Sequence, residues 1–161
     1  MNADKKILSQ GKLERTIQKL KKKGKTIVFT NGCFDILHPG HVFYLKKARK
    51  YGDILVVGLN TDKSVRRLKG GARPINNQND RAYLLAALET VDFISFFSPS
   101  TPLDLIKKVR PDILVKGGDW TTDKIAGGDF VQDYGGKVMR LPYLENYSTS
   151  KLIAKIEAAG K

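Results

Sequence analysis

The sequence predicts an α/β protein built on a doubly wound, five-stranded parallel sheet. Three observations carry this. Short apolar runs alternate with helical patterns along the chain, the order that strand–helix–strand units require. The run Ile54-Leu55-Val56-Val57-Gly58-Leu59 is apolar without alternation, as a strand buried on both faces must be. The segment Gly32-Cys33-Phe34-Asp35-Ile36-Leu37-His38-Pro39-Gly40-His41 lies between an apolar run and a helical pattern, so two histidines sit where a strand hands over to a helix.

Each element follows from its local pattern. Ser9 caps a first helix with Leu13, Ile17 and Leu20 on one face, and Gly24 ends it. The first strand spans 26–31. A helix over 40–50 carries Val42, Leu45 and Ala48 as its apolar stripe, and Gly52 breaks it. The second strand is 54–59, a short helix follows over 64–68, and 70–74 is a Gly-rich loop ending at Pro74. An Ala/Leu-rich helix covers 80–89. The third strand is 93–97, and Pro102 opens a helix reaching Val109. Strands at 113–115 and 137–141 complete the sheet, with loops marked by Gly117-Gly118 and Gly127-Gly128, and a helix over 148–159 closes the chain. Residues 1–25 read as a helical extension to one domain over 26–161. In such sheets ligands bind beyond the carboxyl ends of the strands, so 31–41, 60–62 and 116–120 are expected to meet at one crevice.

Composition narrows the function. The 161 residues carry 29 Lys+Arg against 16 Asp+Glu, a net charge of +13. Such a charge suits nucleic acid, an anionic membrane surface or polyanionic small substrates. The aromatics are not interleaved with the basic residues as stacking platforms would be, which argues against nucleic acid. The lysines over 19–25 read as a solvated helix end. No apolar run approaches the ~20 residues that span a bilayer, and no membrane partner is expected. The one cysteine, Cys33, permits no intrachain disulfide, and a cytoplasmic protein is the simplest expectation.

The chemistry concentrates at the first strand-to-helix junction. A helix N-terminus offers free N–H groups and the positive end of a dipole, which suits phosphate. His38 and His41, the only histidines in the chain, stand beside it.

His38-Pro39-Gly40-His41 matches the H-x-G-H signature of the nucleotidyltransferase superfamily. Lys116-Gly117-Gly118-Asp119-Trp120 resembles its strand-four loop, Tyr147-Ser148-Thr149-Ser150 its C-terminal S-T-[ST] motif, and Asn79-Asp80-Arg81 the start of its middle helix. These four motifs stand in the family's order. The resemblance implies a Rossmann-like nucleotidyltransferase fold. Within the superfamily the chain is most similar to the adenylyltransferases of heptose biosynthesis, through N-G-C-F-D-I-L-H-P-G-H, S-V-R-R-L-K-G-G-A-R-P-I-N, L-V-K-G-G-D-W and L-P-Y-L-E-N-Y-S-T-S. That family makes ADP-heptose from ATP and D-glycero-β-D-manno-heptose 1-phosphate, in many organisms as a domain fused behind a sugar kinase. With 25 residues before the first strand, the stand-alone form is expected here. Glycerol-3-phosphate cytidylyltransferase is the competing resemblance. Its pattern places an arginine shortly before S-T-T, and 141–147 contains none. A basic binding module without catalysis is the third reading, and the intact histidine pair argues against it.

The resemblance implies attack by a sugar phosphate oxygen on the α-phosphorus of a nucleoside triphosphate. Such a reaction needs positioning and donors more than a nucleophilic side chain. His38 and His41 would donate to phosphate oxygens, either protonated or as the donor tautomer. Lys69 would close over the phosphates and neutralise the leaving group. Arg66 and Arg73 are candidates for the acceptor. Arg81 opens a helix, where the dipole disfavours a cation, and a nucleotide-binding role would explain it. Ser148, Thr149 and Ser150 combine hydroxyls with a helix N-terminus; an ordinary N-cap would account for one of them. Gly118 belongs to the nucleotide loop. Asp119 binds ribose, positions a metal or makes the turn. Asp35 binds an acceptor hydroxyl or holds its loop. Gly32 and Gly40 would let phosphate approach closely. Phe34 contacts the nucleotide or packs in the core, and Cys33 reads as packing. Mg²⁺ is implied with ATP, carried on the triphosphate and not in a protein cage. The resemblance also implies a homodimer.

Overall fold

The computed structural model describes residues 3–118, 125–142 and 144–160. Its sheet has five strands among the described residues: β1 (Ile27–Gly32), β2 (Ile54–Asn60), β3 (Phe93–Phe97), β4 (Ile113–Gly117) and β5 (Lys137–Leu141). They run in the order β3-β2-β1-β4-β5, and every pairing is parallel. The doubly wound sheet expected from the sequence is therefore the one found. The chain leaves β1 towards β2 on one side and later adds β4 on the other. The point of reversal lies between β1 and β4, where such sheets open a crevice.

Helices cover both faces. On one, α2 (Pro39–Arg49) and α4 (Gln78–Ala87) bury Tyr44, Leu45 and Leu85 against Val28, Leu55, Val57 and Val115. On the other, α1 (Gln10–Lys22), α5 (Leu103–Val109) and α6 (Gly128–Asp133) bury Leu13, Ile17, Ile106 and Val131 against Ile27, Phe29, Val56 and Leu114. Alternate residues of each strand enter opposite cores, which is why these strands read as unbroken apolar runs. The remaining helices are α3 (Asp62–Lys69) and α7 (Thr149–Ala159). No described helix is long and apolar enough to cross a membrane.

The amino edge of the sheet is tied shut by three aspartates. Asp112 accepts the Ile27 N–H at 2.7 Å, Asp53 the Thr26 N–H at 2.9 Å and Asp92 the Leu55 N–H at 2.7 Å. Each carboxylate occupies a backbone donor that no strand neighbour reaches. The carboxyl edge carries the loops and is left for ligands.

The structure corrects several expectations. Gly127-Gly128 is no plain loop: Gly127, at φ 85°, caps α6, whose Val131 is fully buried. Six residues are too few to show a helical stripe, so only packing reveals this helix. The helix expected over 64–68 starts earlier, at Asp62, because the Thr61 hydroxyl accepts the Ser64 N–H. Likewise Asn77 caps α4 and moves its start to Gln78. Pro102 precedes α5 as its cap and is not in its first turn.

Candidate active site

A cleft of about 660 Å³ opens at the carboxyl edge, over the ends of β1, β2 and β4. Local structure explains how His38 and His41 face it. His38 is the cap residue of α2, with extended backbone (φ −142°, ψ 166°), and its side chain makes no capping bond. Pro39 takes the first helical position, where a missing N–H costs nothing. His41 follows within one turn, so the two imidazoles stack, centroids 3.8 Å apart and planes 21° from parallel. Each Nδ1 is buried and makes no hydrogen bond among the described residues. Burial lowers His41 to about 4, the neighbouring His38 pushes the same way, and the Ile36 carbonyl opposes them. Burial lowers His38 too. Of the two forms open from sequence, the free site therefore holds His41 neutral at pH 7, with one N–H to donate.

Aromatic rings frame the pair. Phe34, in the left-handed region at φ 45°, sets its ring 5.2 Å from His41. A non-glycine residue there is strained backbone, held by its surroundings. Tyr147 stacks on the outer side of His38, 6.3 Å between centroids. Both glycines expected to admit phosphate line the cleft, and both also make room for these neighbours. A Cβ on Gly32 would lie 2.9 Å from the Phe34 ring, and one on Gly40 would lie 2.9 Å from Tyr147 and 3.0 Å from His38 Nδ1.

The far segments converge as expected. Ser148, Thr149 and Ser150 line the cleft at the start of α7. Ser148 Oγ accepts the Lys151 N–H at 3.2 Å and serves as the cap, leaving the other two hydroxyls available. Lys69, the last residue of α3, reaches the cleft from the rim and is exposed.

Asp35 and Arg73 are committed to each other. The buried Asp35 carboxylate accepts the N–H groups of Ile75 at 2.8 Å and Asn76 at 2.9 Å, and pairs with the Arg73 guanidinium. Burial alone would raise its pKa; these donors outweigh it and hold the carboxyl below the usual range. Of its two expected roles, holding the loop is the one the hydrogen bonds support. Arg66 is exposed on α3 and does not line the cleft.

Arg81 is bound by the protein itself. Its side chain is fully buried and does not line the cleft, although two of its partners, Cys33 and Asn60, do. It donates to the carbonyls of Asn76 at 3.0 Å, Cys33 and Asn60 at 2.8 Å, and to Asp62 at 2.8 Å. A helix start carries this cation because the guanidinium has four protein acceptors there. Gly118, at φ 98°, uses its N–H on the Leu141 carbonyl at 3.1 Å, and Gly117 lines the cleft in its place. Asp119 lies outside the described residues.

Sequence reasoning singled out no role for Asn31, Asn60 or Lys116, yet all three line the cleft. The signal for Asn31 and Asn60 was position alone, at the ends of β1 and β2; Lys116, at the end of β4, also opens the strand-four motif.

With this geometry in view, the comparisons are specific. The model of the cytidylyltransferase-like family matches residues 29–155, from β1 through most of α7. The chain belongs to the cytidylyltransferase-like family. Among its relatives, the bifunctional protein HldE of Syntrophotalea carbinolica is 50% identical over 153 residues, covering 95% of this chain and 31% of that protein. The HldE of Campylobacter fetus is 52% identical over 154 residues, 96% of this chain and 32% of that protein. The chain thus spans about a third of the length of the curated relatives it matches. A lipopolysaccharide core biosynthesis protein from Thermoplasma volcanium superposes with a TM-score of 0.61 at 32% identity, over 78% of this chain and all of that one. Pantoate-beta-alanine ligase from Francisella tularensis shares the fold, with a TM-score of 0.59 at 15% identity over 96% of this chain and 78% of its own. Family membership agrees with the motif at His38 and His41, since the matched span holds both histidines and the Ser148–Ser150 segment.

Proposed function

We propose that this chain transfers AMP from ATP to D-glycero-β-D-manno-heptose 1-phosphate, giving ADP-heptose and pyrophosphate. The observation that carries nucleotidyl transfer is the convergence in one cleft of a stacked histidine pair, a helix N-terminus bearing hydroxyls, and lysine side chains. The sugar rests on the sequence stretches shared with heptose adenylyltransferases, supported by about 50% identity to HldE proteins across nearly all of this chain.

In this reading a phosphate oxygen of the sugar attacks the α-phosphorus, and the bond from that phosphorus to the α,β-bridging oxygen breaks. His38 and His41 donate N–H to the α- and β-phosphate oxygens, where charge builds. Thr149, Ser150 and the free N–H groups of α7 hold the outer phosphates. Lys69 neutralises the departing pyrophosphate. Gly117, at the end of β4, faces the nucleoside. Magnesium arrives on the triphosphate oxygens. Asp35, the carboxylate lining the cleft among the described residues, is already committed, and no group of three described His, Cys, Asp or Glu residues could cage a metal. The reading also entails a cytoplasmic, homodimeric enzyme.

Pure protein with ATP, Mg²⁺ and the heptose 1-phosphate is expected to release pyrophosphate. Release with CTP and glycerol 3-phosphate, and none with the heptose pair, would establish the cytidylyltransferase alternative. Replacing His41 with alanine is expected to slow turnover by about a hundredfold or more while leaving the circular dichroism spectrum unchanged.

A further inference from the structure

Three side-chain ammonium or guanidinium groups line the cleft among the described residues: Lys69, Arg73 and Lys116. Arg73 is neutralised by Asp35. Lys69 stands exposed at the rim. Lys116 is different. It is half-buried at the end of β4 and makes no hydrogen bond or ion pair among the described residues. Its electrostatic neighbour is the Cys33 thiol, which burial pushes up and so keeps neutral. A partly desolvated ammonium without a counter-ion is costly unless an anion comes to it.

Its location says which anion. Along β4, Leu114 enters the core beneath α1 and α5, and Val115 enters the core beneath α2. Strand alternation sends Lys116 to the face of Leu114, away from α2 and its histidines. Pro102, the cap of α5, and Ile125, of the same core as Leu114, also line the cleft. Lys116 also stands beside the end of β1, at the reversal point of the sheet. A triphosphate on the histidine pair and α7 already has donors on its own side. A second, dianionic phosphate must approach it closely, and the two repel. That second anion needs a separate cation on the opposite wall.

We propose that Lys116 binds the phosphate group of the acceptor, a sugar phosphomonoester, and holds it on the wall opposite the histidines for attack on the donor's α-phosphorus. The proposal rests on the nucleotidyl-transfer reading. In the step itself Lys116 keeps its protons: the acceptor oxygen forms the new bond to phosphorus and pyrophosphate leaves with the bridging oxygen. Burial lowers the lysine's pKa in the free protein, and a bound dianion would restore it.

The test compares wild type with Lys116→Met and Lys116→Arg. In steady state, the methionine variant is expected to raise KM for the heptose 1-phosphate roughly 10- to 100-fold, the loss of one charged hydrogen bond, and to leave KM for ATP nearly unchanged. Arginine should recover part of the loss. An equal rise in KM for ATP would overturn the assignment to the acceptor, and unchanged kinetics would overturn any role. Binding of inorganic phosphate, followed by ³¹P NMR with an α,β-methylene ATP analogue present, separates this idea from the function it rests on. Wild-type binding that weakens in Lys116→Met supports the site even if no sugar phosphate is turned over. Equal binding by both proteins overturns it, even if pyrophosphate is released.

Discussion

At the scale of single residues, the histidine pair is defined by burial. Burial, and after it the His38 imidazole stacked 3.8 Å away, keeps His41 neutral in the free protein down to about pH 4. The stability consequence has a definite sign. An unfolded histidine titrates near 6.5 and this one near 4, so between those values the unfolded chain binds more protons. Stability is therefore expected to fall as pH drops from about 6.5 towards 4. Urea midpoints at pH 7.5 and at pH 5 should show this decline, and His41→Asn should flatten it. A decline of equal size in that variant would assign the effect to other groups. Phosphate binding works in the opposite direction, since an anion beside the rings favours their protonated form. Lys116 follows the same logic from the other wall of the cleft, as a cation with no ion pair among the described residues.

Elements are joined at the site by Arg81. Its guanidinium links the Cys33 carbonyl beyond β1, the Asn60 carbonyl at the end of β2, Asp62 in the first turn of α3 and the Asn76 carbonyl before α4. The two loops that shape the cleft floor are thereby tied to one buried cation. Replacing Arg81 with methionine leaves the Asp62 carboxylate and three carbonyls without this donor, and is expected to cost about 3–5 kcal/mol in urea unfolding. Arg81→Lys should recover little, because one ammonium cannot match the fork. A variant with full stability but weakened ATP binding would instead restore the nucleotide-contact role expected from the motif. Asp35 works as the second such tie, drawing the 73–76 loop to β1. At the other end of the chain, α7 has no buried residue among those described and depends on its Ser148 cap. An anion at its N-terminus would stabilise it further.

For the whole molecule, the net charge of +13 sets a background of self-repulsion. Sodium chloride raised from about 10 to about 150 mM shortens the screening length from ~30 to ~8 Å, and is expected to raise Tm. A flat or falling Tm would mean that local ion pairs outweigh the repulsion. Much of the architecture was legible before any coordinates. β3 and β5 were readable to the residue, and β1, β2 and α2 to within one, because apolar runs and turn residues mark them independently of packing. α6 was not, since six residues without a stripe carry no periodic signal. The same division runs through the site. The sequence by itself determined the parallel sheet, the histidines at a strand-to-helix junction and the hydroxyls at a helix start, all of which are local patterns. Only the tertiary structure decided that Arg81 is a buried tie, that Gly32 and Gly40 make room for neighbouring side chains, and that Lys116 lines the cleft with no ion pair among the described residues. Those outcomes depend on which distant acceptors, rings and carboxylates surround a side chain, and one-dimensional spacing does not contain that information.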